Sequence, residues 1–465
     1  MALTHGTRSV SQETAKASTQ DLTQGKPLKL LFFFSIPLIL GNLFQQFYSM
    51  CDTIIVGRLL GTEALAAVGN TGPMNFLVLG FVYGLTSGFA VITAQQFGAK
   101  DEKMLRRSVA MNIVLNVLST IIFTALALIT TKPLLKLINT PSSIMEGSVT
   151  YISIIYWGIA ATVLYNCAAC ILRAVGDSKT PLYFLILSSI LNIFLDIFFI
   201  LHFKMGVAGA AWATVISQAI AGIFSVIYII VKFPVLHLKP SDFVWDHWFA
   251  SWHLKIGGPM AFQFSITAIG VIVLQGALNL FGAEKIAAFT AAQKVEQILA
   301  VAASSIGVAM ANYGGQNIGA RKIDRIKEGT NSGVFLTLCF SLFAAAIALL
   351  FPEQLSSLFI DKASSGASEV IEASKEYIII TSIFYPVLFL IFIYRNILQS
   401  IGKTFMPLMA GFFELIARTV AAYTLPRIIG YTGIIIAGPI AWFSAAIPLW
   451  IAYMVIIKKL EKEYA

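Results

Sequence analysis

From Leu28 to Ile457 the chain is built almost wholly of long apolar stretches, set apart by short clusters of charge, glycine and proline. Roughly twenty such residues are what a helix needs to cross the ~30 Å hydrocarbon core of a bilayer. Inside that core every backbone N–H and C=O must find a partner within the protein, so only helices or a closed barrel can span it. The stretches are about twice as long as a membrane β-strand and do not alternate polar with apolar, which excludes the barrel. Composition agrees: 57% of the 465 residues are hydrophobic, 12% are charged and the mean hydropathy is +0.81, against about 25% charged in a soluble chain. At roughly 38 residues per span and connection, the length gives about twelve helices and excludes a sizeable soluble enzyme domain. The expected fold class is an all-α polytopic membrane protein with twelve transmembrane helices.

The segments fall near 28–60, 63–96, 104–131, 146–174, 181–203 and 207–233, then 250–281, 286–316, 323–351, 367–400, 405–428 and 433–457. Residues 1–26 are polar and are expected to be a disordered tail. An N-terminal lobe of six helices at 27–233, a linker at 234–249, a C-terminal lobe of six helices at 250–459 and a short tail at 460–465 complete the expected domains. The net charge of +9 does not imply nucleic acid, because the basic residues follow topology. With the N-terminus inside, 22 Lys and Arg fall on the cytoplasmic side and 8 outside. That bias places both termini in the cytoplasm of a multi-pass protein of the cytoplasmic membrane.

An internal repeat sets the architecture. Gly61-Thr-Glu-Ala-Leu-Ala-Ala-Val68 matches Gly282-Ala-Glu-Lys-Ile-Ala-Ala-Phe289, and Gln96-Phe-Gly-Ala-Lys100 matches Asn317-Ile-Gly-Ala-Arg321, both at an offset of 221. Val175–Pro181 resembles Ile401–Pro407 at 226, and Gly206 resembles Gly430 at 224. Six helices per copy is an even number, so the two lobes are parallel repeats related by a pseudo-two-fold axis along the membrane normal. Two lobes facing a central cavity suit alternating access, whereas a channel needs rings of matching residues around a pore. No GxxxxGK[ST] stretch occurs, so no P-loop powers the protein and an ion gradient is the expected source of energy. No cofactor is expected, and no nucleophile–base pair or metal triad marks an enzyme.

Acids inside apolar segments cost several kcal/mol unless paired or hydrated, and Asp52, Asp196, Glu296 and Glu414 are the four. Asn42, Gln45, Ser49 and Asp52 are spaced 3, 4 and 3 apart and so share one helix face. That stripe either joins helices by hydrogen bonds or lines a hydrated cavity. Asn192 and Asp196, at i and i+4, present an amide oxygen and a carboxylate on one face, a pair suited to a hard cation. A rise of 1.5 Å per residue puts Asp196 roughly 22 Å from the start of its helix, at a depth similar to Asp52, with Thr214 near the same level. Na+ would use several of these oxygens, and H+ would need only a carboxylate. Glu414 and Arg418, at i and i+4 with the acid first, are expected to neutralise one another as a structural ion pair. Lys294 and Glu296, two apart, either reach the cavity or snorkel near a helix start, and Arg395 remains open in the same way.

Ser35-Ile-Pro37 through Asp52-Thr-Ile-Ile-Val-Gly57, together with Leu172-Arg-Ala-Val-Gly-Asp177, Asn192-Ile-Phe-Leu-Asp196 and Gly209-Ala-Ala-Trp-Ala-Thr214, resemble the multidrug and toxic compound extrusion (MATE) family over about Leu28 to Lys459. The resemblance implies cation-coupled antiport, with Na+ or H+ entry driving export of amphipathic or cationic drugs and toxins. It also implies cation coupling at Asp52, Asn192, Asp196 and Thr214, adds Asn166 to that set, and makes Gln45 a cavity residue beside Asn42 and Ser49. Another branch of the family carries coupling acids on the seventh and tenth helices; neither helix here has a central acid, which assigns coupling to the first lobe. The protein is expected to work as a monomer in the lipid bilayer. The alternative function is a lipid-linked saccharide flippase of the same plan, which would need several basic residues in its cavity to meet a pyrophosphate.

Overall fold

The computed structural model describes residues 20–360 and 366–464, and every regular element among them is helical. Nine of these helices are long and apolar enough to cross a membrane, and twelve spans result when each of three bent pairs is taken as one. In chain order they are α1 (Pro27–Leu60), α2 (Thr62–Gly98), α3 (Glu102–Leu137), α4 (Ser142–Trp157 with Ile159–Ala174), α5 (Lys179–His202) and α6 (Val207–Lys232). Then follow α7 (His247–Phe281), α8 (Ala283–Leu299 with Val301–Gly319), α9 (Ile323–Leu350), α10 (Ala367–Ile383 with Tyr385–Ser400), α11 (Phe405–Ile429) and α12 (Tyr431–Tyr464). The expected twelve-helix fold is the one observed.

The repeat is also written in the backbone. Gly61 and Gly282 lead into α2 and α8 with φ of +88° and +84°, and Gly206 and Gly430 lead into α6 and α12 with φ of +60° and +61°. Positive φ is open to glycine at little cost and strains most other residues, so each glycine pair fixes the same turn twice. Lys100 and Arg321, 221 apart, adopt φ of +58° and +56° without being glycine. The bends recur as well: α4 bends by 46° at Gly158 and α10 by 54° at Phe384, positions 226 apart.

The chain divides into two compact units. One holds residues 20–24, Leu40–Phe264 and Gly315–Arg321; the other holds Gly25–Ile39, Ser265–Gly314 and the chain from Lys322 onward. The first 15 residues of this second unit and the start of α7 therefore depart from a simple division at the linker. Pro37 lies inside α1 and Pro259 inside α7, each a few residues before the division. A proline removes one backbone hydrogen bond and weakens the helix there.

Two expectations need correction. The tail is not disordered throughout, because Leu22 is fully buried, donates its N–H to Gln316 Oε1 at 2.9 Å and accepts from Asn317 Nδ2 at 3.1 Å. Polar composition alone does not reveal partners nearly three hundred residues away; residues 1–19 lie outside the described residues. The linker is docked on α3 as two 3-10 turns, Pro234–Leu236 and Pro240–Phe243, and α7 begins at His247, before the expected 250. Asp242 is buried against Arg106 at 3.5 Å, and Asp246 meets Arg107 at 3.2 Å. Asp246 also accepts from the N–H groups of Trp248 and Phe249 at the start of α7; the Phe249 amide contributes most to holding its carboxyl below the usual range.

Candidate functional site

The start of α5 is fixed by Asp177, which accepts from the N–H groups of Lys179 and Thr180 at 3.0 Å each and from Thr180 Oγ1 at 2.6 Å. The Gly-Asp-Ser-Lys-Thr-Pro motif is thus a helix-start signal. From that start the helix runs regularly to Ile197, carrying Asn192 and Asp196 on one face, and then widens into a π-turn at Phe198–His202. Such turns break the regular ladder and gather at functional positions. Asn192 and Asp196 are both fully buried.

The carboxyl groups of Asp52 on α1 and Asp196 on α5 face one another. Neither acid can offer the other a donor unless one carries a proton. Asp52 Oδ1, both oxygens of Asp196 and Asn192 Oδ1 are buried with no hydrogen-bond partner among the described residues. Each orphaned acceptor costs about 1–3 kcal/mol, more when charged. No described Lys or Arg forms an ion pair with either acid. The arrangement is a cluster of hard oxygen acceptors with a deficit of positive charge, which fits a proton or a hard monovalent cation.

Thr214 on α6 closes the cluster. Its Oγ1 accepts from Asn192 Nδ2 at 3.3 Å and donates to Ala210 O at 3.1 Å, and it lies 3.4 Å from Tyr48 Oη. Holding the Asn192 amide by its nitrogen leaves its oxygen buried and without a hydrogen-bond partner among the described residues. Thr214 therefore holds the Asn192 amide in place as well as offering a hydroxyl. Tyr48 and Tyr151 also stand beside both acids. Sequence reading missed both, although Tyr48 and Asp52 are at i and i+4; Tyr151, an aromatic in an apolar stretch, gave no signal.

The remaining expected residues are not all brought together. Asn166 donates back to Thr162 O of its own helix at 2.9 Å and joins none of the four cluster residues by a described contact. On the α1 stripe Asn42 is half-buried while Gln45 and Ser49 are exposed. In the second unit, Glu414 and Arg418 pair at 2.6 Å, and Glu414 also takes Arg395 at 3.3 Å. The expected pair is thus a triad across α10 and α11. Glu296 does not snorkel: it accepts from Tyr377 Oη at 2.9 Å and stands near Arg418, while Lys294 is exposed.

Comparison with known proteins follows the same geometry. The MatE family model matches residues 37–198 and 259–424. The probable multidrug resistance protein YpnP of Bacillus subtilis is 31% identical over 82% of this chain and 84% of its own length. The probable multidrug resistance protein NorM of Thermotoga maritima is 27% identical over 86% of each chain. A multidrug resistance MATE family transporter solved in an outward-facing conformation superposes with a TM-score of 0.88 at 24% identity, covering 95% of this chain and 98% of that one. The chain belongs to the MatE family of multidrug and toxic compound extrusion transporters.

Proposed function

We propose that the protein is a secondary active multidrug exporter, in which Na+ or H+ entering at Asp52 and Asp196 drives amphipathic or cationic compounds out of the cell. The observation that carries this reading is the set of buried, unpartnered oxygens on Asp52, Asn192 and Asp196. A purely structural network would satisfy its members internally, whereas this one leaves acceptors that an added cation would complete. The excess of Lys and Arg on one set of connections supports the cytoplasmic membrane with both termini inside. A single chain holds all four cluster residues, so a monomer suffices. The flippase alternative loses support because Arg395 and Arg418 are both committed to Glu414.

The test is dye efflux measured in inverted membrane vesicles, with a Na+ gradient and a pH gradient imposed separately. At least one gradient should drive accumulation of a cationic dye in the vesicles. Equal accumulation with and without either gradient would remove cation coupling from the mechanism.

A further inference from the structure

The segment ahead of α1 is docked although it forms no helix. Asp21 curls residues 20–26 by accepting from Thr23 N at 2.8 Å, Thr23 Oγ1 at 2.6 Å and Gln24 Nε2 at 3.0 Å, the local bonding by which an aspartate fixes a turn. Leu22 and Thr23 are buried at its tip. Gln316, near the end of α8, uses both ends of its amide here: Oε1 accepts from Leu22 N at 2.9 Å, and Nε2 donates to Ala174 O at 2.9 Å, at the end of α4. Asn317 Nδ2 donates to Leu22 O at 3.1 Å, and Gln20 N donates to Gly176 O at 3.2 Å. Gly176 leaves the room for this segment, since a Cβ there would strike the Gln20 carbonyl, and its φ of +92° favours glycine. The same end of α8 lies directly on α2. A Cβ on Gly98 would collide with the Gln316 carbonyl, and one on Gly319 with the carbonyl of Gln95. Gly98 and Gly319 are 221 apart, as are Gln95 and Gln316, so the two helices cross at repeat-mates with backbone against backbone. Backbones that touch leave no passage for a compound. Residues 20–24, 95–98, 174–176 and 315–319 all belong to the first unit.

We propose that residues 20–24 are a releasable strap, which latches the ends of α2, α4 and α8 together on the cytoplasmic side and lets go when a compound enters from that side. The strap rests on the export function and the orientation proposed above. An exporter must open to the cytoplasm, and helix ends packed this closely have to part for it to do so. The segment is suited to repeated release. It is not helical, so undocking unravels no regular element. The bonds from Gln316 and Asn317 run from side-chain amides to backbone groups, and water replaces such bonds at small net cost. Leu22 is the one apolar residue of the five, which keeps the apolar area exposed on release small.

The experiment places a thiol at the buried tip. Leu22→Cys in the full-length protein is treated with a membrane-impermeant maleimide in inverted vesicles, where the cytoplasmic face points outward, and mass spectrometry reads the label at each cysteine. Labelling at position 22 tracks the fraction of time that the strap is undocked. It should be slow in the otherwise unaltered chain and about tenfold faster with Gln316→Leu, which keeps the bulk and removes both amide bonds. Cys167, buried on α4, reports general loosening and should stay unlabelled throughout. Ethidium, a cationic dye, supplied on the cytoplasmic face should speed labelling at position 22 without any helix substitution, because a ligand of the open form draws the population toward it. The strap is overturned by labelling at the rate of the SDS-unfolded chain, by no acceleration in Gln316→Leu, or by no response to ethidium in vesicles that show its gradient-driven efflux. Efflux that ignores both gradients would instead remove the export function, and the strap with it, so the efflux trace tells the two failures apart.

Discussion

Each unit carries a carboxylate on its fifth helix, Asp196 on α5 and Glu414 on α11, and the two are treated in opposite ways. In the first, Asp52 and Asp196 face one another and no basic side chain among the described residues pairs with either. In the second, the carboxylate of Glu414 has one guanidinium on each oxygen. The two halves share the positive-φ turns at Gly61/Gly282 and Gly206/Gly430 and the bends of α4 and α10, so these backbone features do not account for the difference. What differs is where the compensating charge resides. A carboxylate neutralised from within is complete at rest, whereas one that lacks a partner must draw its positive charge from outside. Under the export function proposed above, that second condition is the one that would couple transport to an ion gradient.

The contrast predicts where the largest functional loss will fall. Asp196→Asn keeps the shape of the side chain and removes the charge, so gradient-driven efflux should drop to background while the protein inserts and purifies normally. Efflux at the wild-type rate from a well-folded variant would erase the distinction between the units. Glu414→Gln should instead act on stability. It strips Arg395 and Arg418 of their shared partner at once, and breaking a buried pair in this way costs about 3–5 kcal/mol. Arg418→Gln should cost less, because Glu414 retains Arg395. Thermal unfolding in detergent ranks the two, and the reverse order would mean that Arg395 contributes little.

A smaller, graded effect follows from charge balance in the first unit. Two close carboxylates repel, and Na+ or protons relieve that repulsion. A cationic substrate drawn by the same negative charge loses its attraction when the ion binds, and by linkage each ligand weakens the other equally. Substrate affinity measured on purified protein should therefore fall as Na+ or acidity rises, by a factor of about 5–150. Asp52→Asn should flatten that dependence. An unchanged slope in the variant would move the coupling residues elsewhere, with Glu296 as the next candidate.

The sequence made one part of this comparison plain and hid another. Asp52, Asn192, Asp196 and Thr214 stood out because polar residues at helical spacing are conspicuous in an apolar segment, and the structure gathers all four. The Glu414–Arg418 contact was legible for a similar reason, being four residues apart on one helix. Arg395 was not assigned to Glu414, since it reaches across from another helix, and spacing within a helix says nothing about pairing between helices. Tyr48 and Tyr151 were hidden by their dual character: an aromatic ring belongs in an apolar stretch whether or not its hydroxyl has work there. Asn166 is a different case. The family resemblance adds it to the cluster; its amide nitrogen donates to Thr162 O of its own helix, and no described contact joins it to the other four. The buried segment around Leu22 was missed because Gln316 and Asn317, which hold it, can be recognised as its partners only once the chain has folded.

The smallest predicted effect concerns the hydroxyls that border each acid. Tyr48 Oη lies 3.4 Å from Thr214 Oγ1, at the long end of a hydrogen bond, and Thr214 has two closer partners in Asn192 and Ala210. Tyr48→Phe therefore removes a weak bond and leaves the orientation of Asn192 intact. The loss should be about 1 kcal/mol, or roughly fivefold in cation affinity, with efflux slowed and not abolished. Tyr377 provides the matched control in the second unit, where its hydroxyl donates to Glu296 at 2.9 Å. Tyr377→Phe breaks the shorter bond and leaves Glu296 Oε2 without that donor, so it should lower thermal stability more than Tyr48→Phe while leaving cation affinity unchanged. If the two substitutions shift cation affinity equally, the second-unit acid also senses the ion and the division of labour between the units fails. If Tyr48→Phe has no effect, the ion meets only the carboxylates and the amide, and the tyrosine merely packs beside them.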